Sequence, residues 1–160
     1  MEQRPGPDSP LDGVRVLLVE DHAMVREVIS QLLVESGAAV TATAGVPEAL
    51  EAFERERPDV VLSDIEMDGE DGYALIRKLR ALPRDRGGQT PAAGLTGLGT
   101  IEDRARVLQS GFQEYLAKPV DARILVNVVA DLAARSVAAV ASPRGSSPSV
   151  WSAADRPPPR

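Results

Sequence analysis

VRVLLVEDHAMVREVISQLLVESG, residues 14–37, holds the unit from which the rest of the chain is built. VRVLLV (14–19) is a nearly continuous apolar run, the pattern of a strand covered on both faces. Val25, Val28, Ile29, Leu32 and Leu33 then recur at helical spacing, giving one apolar face. Gly37 stands where a helix ends in a left-handed residue. The alternation continues along the chain. AAVTATA (38–44) reads as a weaker strand, and a helix follows with Pro47 in its first turn and Ala49, Leu50 and Phe53 on its face. DVVLS (59–63) is a buried strand, and the helix after Asp71 carries Leu75, Ile76 and Leu79. Beyond the loop PRDRGGQ (83–89), AAGLT (92–96) is the fourth strand, and the next helix bears Ile101, Ala105 and Leu108 and ends at Gly111. FQEYLA (112–117) is the fifth strand, and Asp121 caps a last helix with the face Ile124, Leu125, Val128, Val129 and Leu132.

Five β-α units in series predict an α/β fold: a doubly wound, five-stranded parallel sheet with right-handed crossovers and helices on both faces. The flavodoxin-like (βα)5 strand order 2-1-3-4-5 is the expected one, and ligands of such sheets sit at the carboxyl ends of the strands.

Composition sets the outer limits. A chain of 160 residues with 43% hydrophobic and 26% charged residues is an ordinary globular composition with room for one domain and tails. Eighteen Lys and Arg against 24 Asp and Glu give a net charge of −6, the wrong sign for a dedicated nucleic-acid or anionic-membrane binder. There is no Cys, so disulfides and thiolate sites are excluded. The start MEQRPGPDSP lacks the apolar core of a signal peptide, and no run approaches the roughly 18 apolar residues of a membrane span. A soluble, cytoplasmic protein is expected. Eight of the 13 Pro lie in residues 1–12 and 136–160, which predicts disordered tails around a domain at 13–135. Trp151, the only Trp, falls in the Pro/Ser-rich second tail, as a stray aromatic or a small docking motif.

The strand ends carry the chemistry. Strand 1 ends in Glu20-Asp21, strand 3 in Ser63-Asp64, strand 4 in Leu95-Thr96, and strand 5 runs into Lys118-Pro119. In the expected order, three carboxylates, a hydroxyl and an amine converge on one rim. Clustered carboxylates repel unless a cation is present, and oxygen-only ligands suit a hard ion, Mg²⁺ above all. An Asp beside Mg²⁺ and a Lys is able to act as nucleophile toward a phosphoryl group, with the Lys and Thr binding the transferred oxygens. Each residue alone has an ordinary role: Asp21 as a helix cap, Asp64 in a loop, Lys118 in solvent. Their coincidence on four strands of one sheet argues against four separate ordinary roles. His22, the only His, has no partner ligand and reads as helix-start surface.

LLVEDH (17–22), VVLSDIEMDGEDGYALIRKLR (60–80), GLTG (94–97) and GFQEYLAKPV (111–120), in this order and at these separations, resemble the receiver domain of two-component response regulators. The resemblance implies that Asp64 accepts a phosphoryl group from a phosphohistidine of a histidine kinase or phosphotransfer protein. It implies that Glu20 and Asp21 hold Mg²⁺ with Asp64 and the backbone carbonyl of Glu66. Thr96 then matches the switch hydroxyl, Tyr115 the switch aromatic and Lys118 the phosphoryl-binding lysine, before a Lys118-Pro119 bond that is usually cis. The face of helix 4, strand 5 and helix 5 is the implied readout surface. Asp68 stands where the family normally has Pro, and Glu66, Asp68, Glu70 and Asp71 add local negative charge. Glu66 and Leu98 fall where the family tunes phosphoryl lifetime. Gly94, Gly97 and Gly99 are expected to loosen the loop after strand 4.

A stand-alone receiver follows as the expectation, since the 25 residues after 135 are too few for an output domain. Output then runs through protein contact, phosphorelay or dimerisation on phosphorylation, and the only enzymatic acts are self-phosphorylation and autodephosphorylation. The alternative is a C-terminal receiver descended from a hybrid histidine kinase. An aspartate-nucleophile phosphatase needs a second Asp two residues on, where Glu66 stands. A flavin carrier lacks a phosphate cradle in EDHAM, and a phosphorylation-independent scaffold leaves Thr96 and Lys118 without purpose.

Overall fold

The strands are β1 (Arg15–Val19), β2 (Ala39–Thr43), β3 (Val60–Asp64), β4 (Ala92–Thr96) and β5 (Glu114–Ala117). They form one parallel sheet in the order β2-β1-β3-β4-β5. The helices are α1 (Ala23–Glu35), α2 (Val46–Glu56), α3 (Gly72–Arg80), α4 (Ile101–Gln109) and α5 (Ala122–Ala141), with a single 3₁₀ turn at Arg84–Arg86. The computed structural model describes residues 9–97 and 99–141. The expected fold and strand order are both present.

Side-chain alternation along the strands builds two cores. Val16, Leu18, Leu62, Ala93 and Leu95 point to one face and pack with Ile29 and Leu33 of α1 and Leu125, Val129 and Leu132 of α5. Leu17, Val19 and Val61 point to the other, against Phe53 of α2, Leu75, Ile76 and Leu79 of α3 and Val107 of α4. β3 and β4 are buried throughout, whereas β2, the weakest strand in the sequence, is a half-open edge. The registers bring the strand ends level: Val19 lies opposite Ser63, and Asp64 opposite Leu95.

Helix ends follow local chemistry. Gly37 takes φ 107° just past α1, where a Cβ would lie 2.9 Å from the Asp12 nitrogen. Pro47 sits in the first turn of α2, and Asp121 Oδ1 accepts from the nitrogens of Arg123 and Ile124 to cap α5.

Several expectations are corrected. The α4 stripe of Ile101, Ala105 and Leu108 faces solvent, with Ile101 79% and Leu108 48% exposed, and Val107 is the buried residue of that helix. The cause lies in β4. Gly94 is inside the strand, not in the loop after it, and a Cβ there would meet Ile65 Cδ1 at 2.9 Å and Val107 Cγ1 at 3.0 Å. The missing side chain makes room for Val107, and that sets the rotation of α4. Val28 of α1 and Ile124 of α5 are likewise exposed. Leu11, ahead of β1, is fully buried and its nitrogen donates to the Ser36 carbonyl, and α5 runs to Ala141. Trp151, Leu98 and the outer Pro-rich stretches lie outside the described residues.

Gly72, at the start of α3, has the tightest bearing on the site. A Cβ there would stand 2.5 Å from the Asp64 carbonyl oxygen and 2.9 Å from Ile65 Cα, both backbone atoms of the turn that ends β3. Gly72→Ala is expected to destabilise the fold by about 1–3 kcal/mol in urea unfolding. Gly97→Ala, where a Cβ meets nothing within 4 Å, is expected to stay within about 0.5 kcal/mol of wild type.

Candidate functional site

At the carboxyl edge of the sheet, β1 delivers Glu20, which is buried, and Asp21, which stays accessible. β3 ends in Asp64, 2% exposed, and β4 in Thr96, 1% exposed. Lys118 follows β5, its backbone nitrogen donating to the Thr96 carbonyl at 2.9 Å, and the Lys118-Pro119 peptide is cis.

The ordinary roles open to these residues are filled by others. α1 is capped by His22, whose Nδ1 accepts from the Val25 nitrogen at 3.4 Å, and not by Asp21. α3 is capped by Asp71, accepting from the Ala74 nitrogen at 2.9 Å, and not by Asp64. α4 is capped by Thr100 in a reciprocal pair with Asp103. Glu20, Asp21 and Asp64 turn instead toward one another, with one carboxylate oxygen from each inside a 4.8 Å cluster.

Lys118 holds the cluster together. Its Nζ lies 2.9 Å from Asp64 Oδ1 and 3.1 Å from Glu20 Oε1. Both oxygens are sealed from solvent, and neither contact has the direction of a good hydrogen bond, so each retains unmet acceptor capacity. Glu20 is fixed further through Oε2, which accepts from the His22 nitrogen at 3.1 Å. Burial pushes the Asp64 carboxyl up to about 6; the Lys118 contact works against that rise and the charge of Glu20 adds to it. For Lys118, burial acts to lower the pKa, but Asp64 and Glu20 outweigh it and the net direction is upward.

Three contacts at this rim escaped sequence reasoning. Asp21 Oδ2 accepts from the backbone nitrogen of Asp68 at 3.1 Å, a bond that a proline, lacking an N–H, would be unable to make. Thr96 Oγ1 donates to Glu66 Oε2 at 2.9 Å, so the side chain of Glu66 takes part in the rim, where the sequence pointed only to its carbonyl. Arg104 of α4 donates through Nε to the Tyr115 hydroxyl at 2.9 Å, with its guanidinium 5.1 Å from the ring centre. Tyr115 is thus half-buried at the surface. A backbone donor leaves no mark in a side-chain pattern, and no spacing rule joins Arg104 to Tyr115 or Glu66 to Thr96. Beside the cluster lies an open cleft of about 390 Å³, walled by Asp21, Glu66, Asp68, Asp71, Asp103 and Arg106. Oxygen ligands, a buried carboxylate and a fixed ammonium suit a hard cation together with an anion.

The sequence model of the response regulator receiver domain matches residues 16–130. An uncharacterised 14.6 kDa protein of Leptolyngbya boryana is 40% identical over 114 residues, 71% of this chain and 86% of that protein. The sensor protein GacS of Pseudomonas syringae is 34% identical over 125 residues; the match covers 78% of this chain and only 14% of GacS. Among solved structures, the receiver domain of a sensor histidine kinase from Pseudomonas aeruginosa PAO1 is 34% identical with a TM-score of 0.69, covering 76% of this chain and 98% of that one. That structure has a magnesium ion coordinated in its active-site cleft.

The raised Asp64 pKa has a consequence for stability. Its ordinary value is 3.8 and its folded value about 6, so between them the native state holds the extra proton. The stability contributed by that extra proton is therefore fully present below the window and is lost as pH rises through it. In metal-free thermal unfolding between about pH 4 and about pH 7, wild type should lose on the order of 2–3 kcal/mol more than Asp64→Asn. Parallel profiles would contradict it.

Proposed function

The chain belongs to the response regulator receiver family, and on that premise we propose that Asp64 is a phosphoacceptor switching the domain between two arrangements. It is a receiver domain of two-component signalling, homologous to the receivers of hybrid kinases. Such domains are generally signalling modules and not enzymes.

The observation that carries the reading is Asp64 itself: a carboxylate 2% exposed, with an unmet acceptor oxygen, held beside Lys118 at 2.9 Å and facing Glu20 and Asp21. In the proposed transfer, an Asp64 oxygen attacks the phosphorus of a phosphohistidine. The P–N bond breaks, its electron pair returns to the imidazole nitrogen, and an acyl phosphate is left on Asp64. Lys118, already between Asp64 and Glu20, exchanges part of that contact for a phosphoryl oxygen. Nearly two negative charges then stand where there was one, and Thr96 gains a partner present only in that state. Tyr115 is proposed to turn inward after it.

The donor set fits Mg²⁺. All its ligands are oxygens, and two buried oxygens lack directed partners. Glu20, Asp21, Asp64 and the carbonyl of Glu66 would hold the ion, as the magnesium-bearing relative supports. When bound, it would supply positive charge to the phosphoryl oxygens.

A histidine kinase or phosphotransfer protein is the proposed donor, in the cytoplasm. The proposed readout face is α4, β5 and α5, which carry the exposed Ile101, Leu108 and Ile124, and a downstream protein or a second phosphorylated copy would dock there. The match to hybrid signal transduction histidine kinase D of Dictyostelium discoideum supports descent from a hybrid kinase as the alternative lineage.

Intact-mass analysis after incubation with Mg²⁺ and acetyl phosphate tests the core of this reading. Wild type is expected to gain one phosphoryl group, and to gain none when Mg²⁺ is chelated. Asp64→Asn is expected to gain none. A gain that survives Asp64→Asn would remove Asp64 from its assigned role.

A further inference from the structure

We propose that Glu66 is a positioning residue whose carboxylate holds the Thr96 hydroxyl in the resting domain and competes with the phosphoryl group for that hydroxyl's hydrogen. This rests on Asp64 being the phosphoacceptor and names how the same site is regulated.

A threonine hydroxyl has one hydrogen to donate. Thr96 Oγ1 gives it to Glu66 Oε2 at 2.9 Å, and it cannot simultaneously give it to an oxygen on Asp64. The acceptor is a carboxylate, so the bond is charge-assisted and stronger than one to a neutral group. Thr96 is 1% exposed and ends the rigid, fully buried β4, which leaves χ1 rotation as its means of changing partner. Glu66 is exposed on a short connection after β3, among Asp21, Asp68 and Asp71 on the cleft wall. Releasing Thr96 deprives the Glu66 carboxylate of a donor in a field of like charge. The phosphorylated arrangement is reached only by giving up this bond, so Glu66 lowers the apparent affinity of the site for a phosphoryl-like ligand.

Two mechanisms would give Glu66 an inhibitory effect, and they separate. Plain charge repulsion acts on any incoming anion with or without the Thr96 hydroxyl. Competition for the hydroxyl hydrogen needs Thr96. The experiment is a double-mutant cycle of Glu66→Ala and Thr96→Ala, read as the dissociation constant for beryllofluoride in saturating Mg²⁺. Glu66→Ala alone is expected to tighten binding about tenfold, the size of one hydrogen bond to a charged group. In the Thr96→Ala background the same change is expected to shift it less than about twofold. Equal shifts in both backgrounds, or none in either, overturn the proposal.

The resting contact is measured separately, without any ligand, from the side-chain couplings of Thr96 by NMR. Wild type is expected to hold one χ1 rotamer and Glu66→Ala to average between rotamers. Averaging already present in wild type overturns the positioning by Glu66. Failure of wild type to bind beryllofluoride, with Mg²⁺ binding demonstrated, overturns instead the phosphoacceptor reading on which the competition depends.

Discussion

One ammonium group organises the functional edge of this protein. Lys118 leaves the end of β5, passes over the end of β4 and reaches Asp64 and Glu20 at the ends of β3 and β1. Without it, two buried carboxylates would face each other unpaired, an arrangement that costs several kcal/mol unless one takes up a proton. With it, the pair is held but not satisfied, since both innermost oxygens keep acceptor capacity in reserve. The resting site is therefore poised: rigid enough to position a nucleophile, yet electrostatically incomplete in a way that a cation and a phosphoryl group would complete. The other strand-end residues of the rim take their positions from the registers that level the strands.

The residues that were legible in the sequence share a physical property. Glu20, Asp21, Asp64 and Thr96 each close or follow a strongly apolar strand run, and Lys118 follows the shorter, mixed run of β5, so their positions are fixed by the sheet and not by loop conformation. Buried parallel strands announce themselves, and the residue after each inherits its address. The unread features lack that property. Leu11 sits among Pro, Asp and Gly with no periodicity to mark it, yet it is fully buried in the core under α1 and α5. The bond from the Asp68 nitrogen to Asp21 is a backbone donor on a turn. Glu66 was singled out for its carbonyl, while its carboxylate depends on a tertiary approach between the β3 and β4 connections.

The misread face of α4 is the most informative error. Ile101, Ala105 and Leu108 obey helical spacing, and so does the alternative in which Val107 alone faces inward. Periodicity could not choose between them, because the choice was made by an absent side chain at Gly94. The sheet offers α4 a shallow notch and little else. Its remaining ties are polar and peripheral: Arg104 on Tyr115, Arg106 stacked 4.1 Å from the Tyr73 ring centre, and the Thr100-Asp103 cap.

The weak seating of α4 bears on how far a small chemical event can travel. A nine-residue helix is too short to persist alone in water, so its order is borrowed from its contacts. Those contacts amount to one buried valine, worth roughly 1.5–3 kcal/mol, and a few surface interactions of about 0.5–1 kcal/mol. The rest of the domain is cemented by two full hydrophobic layers. In the landscape of partial unfolding, α4 is thus a separate, shallow unit, whose amides should exchange with solvent long before those of β3. One new hydrogen bond to a charged group is of the same size, about 1.5–3 kcal/mol. The helix is therefore a lever whose stiffness matches the push available to move it.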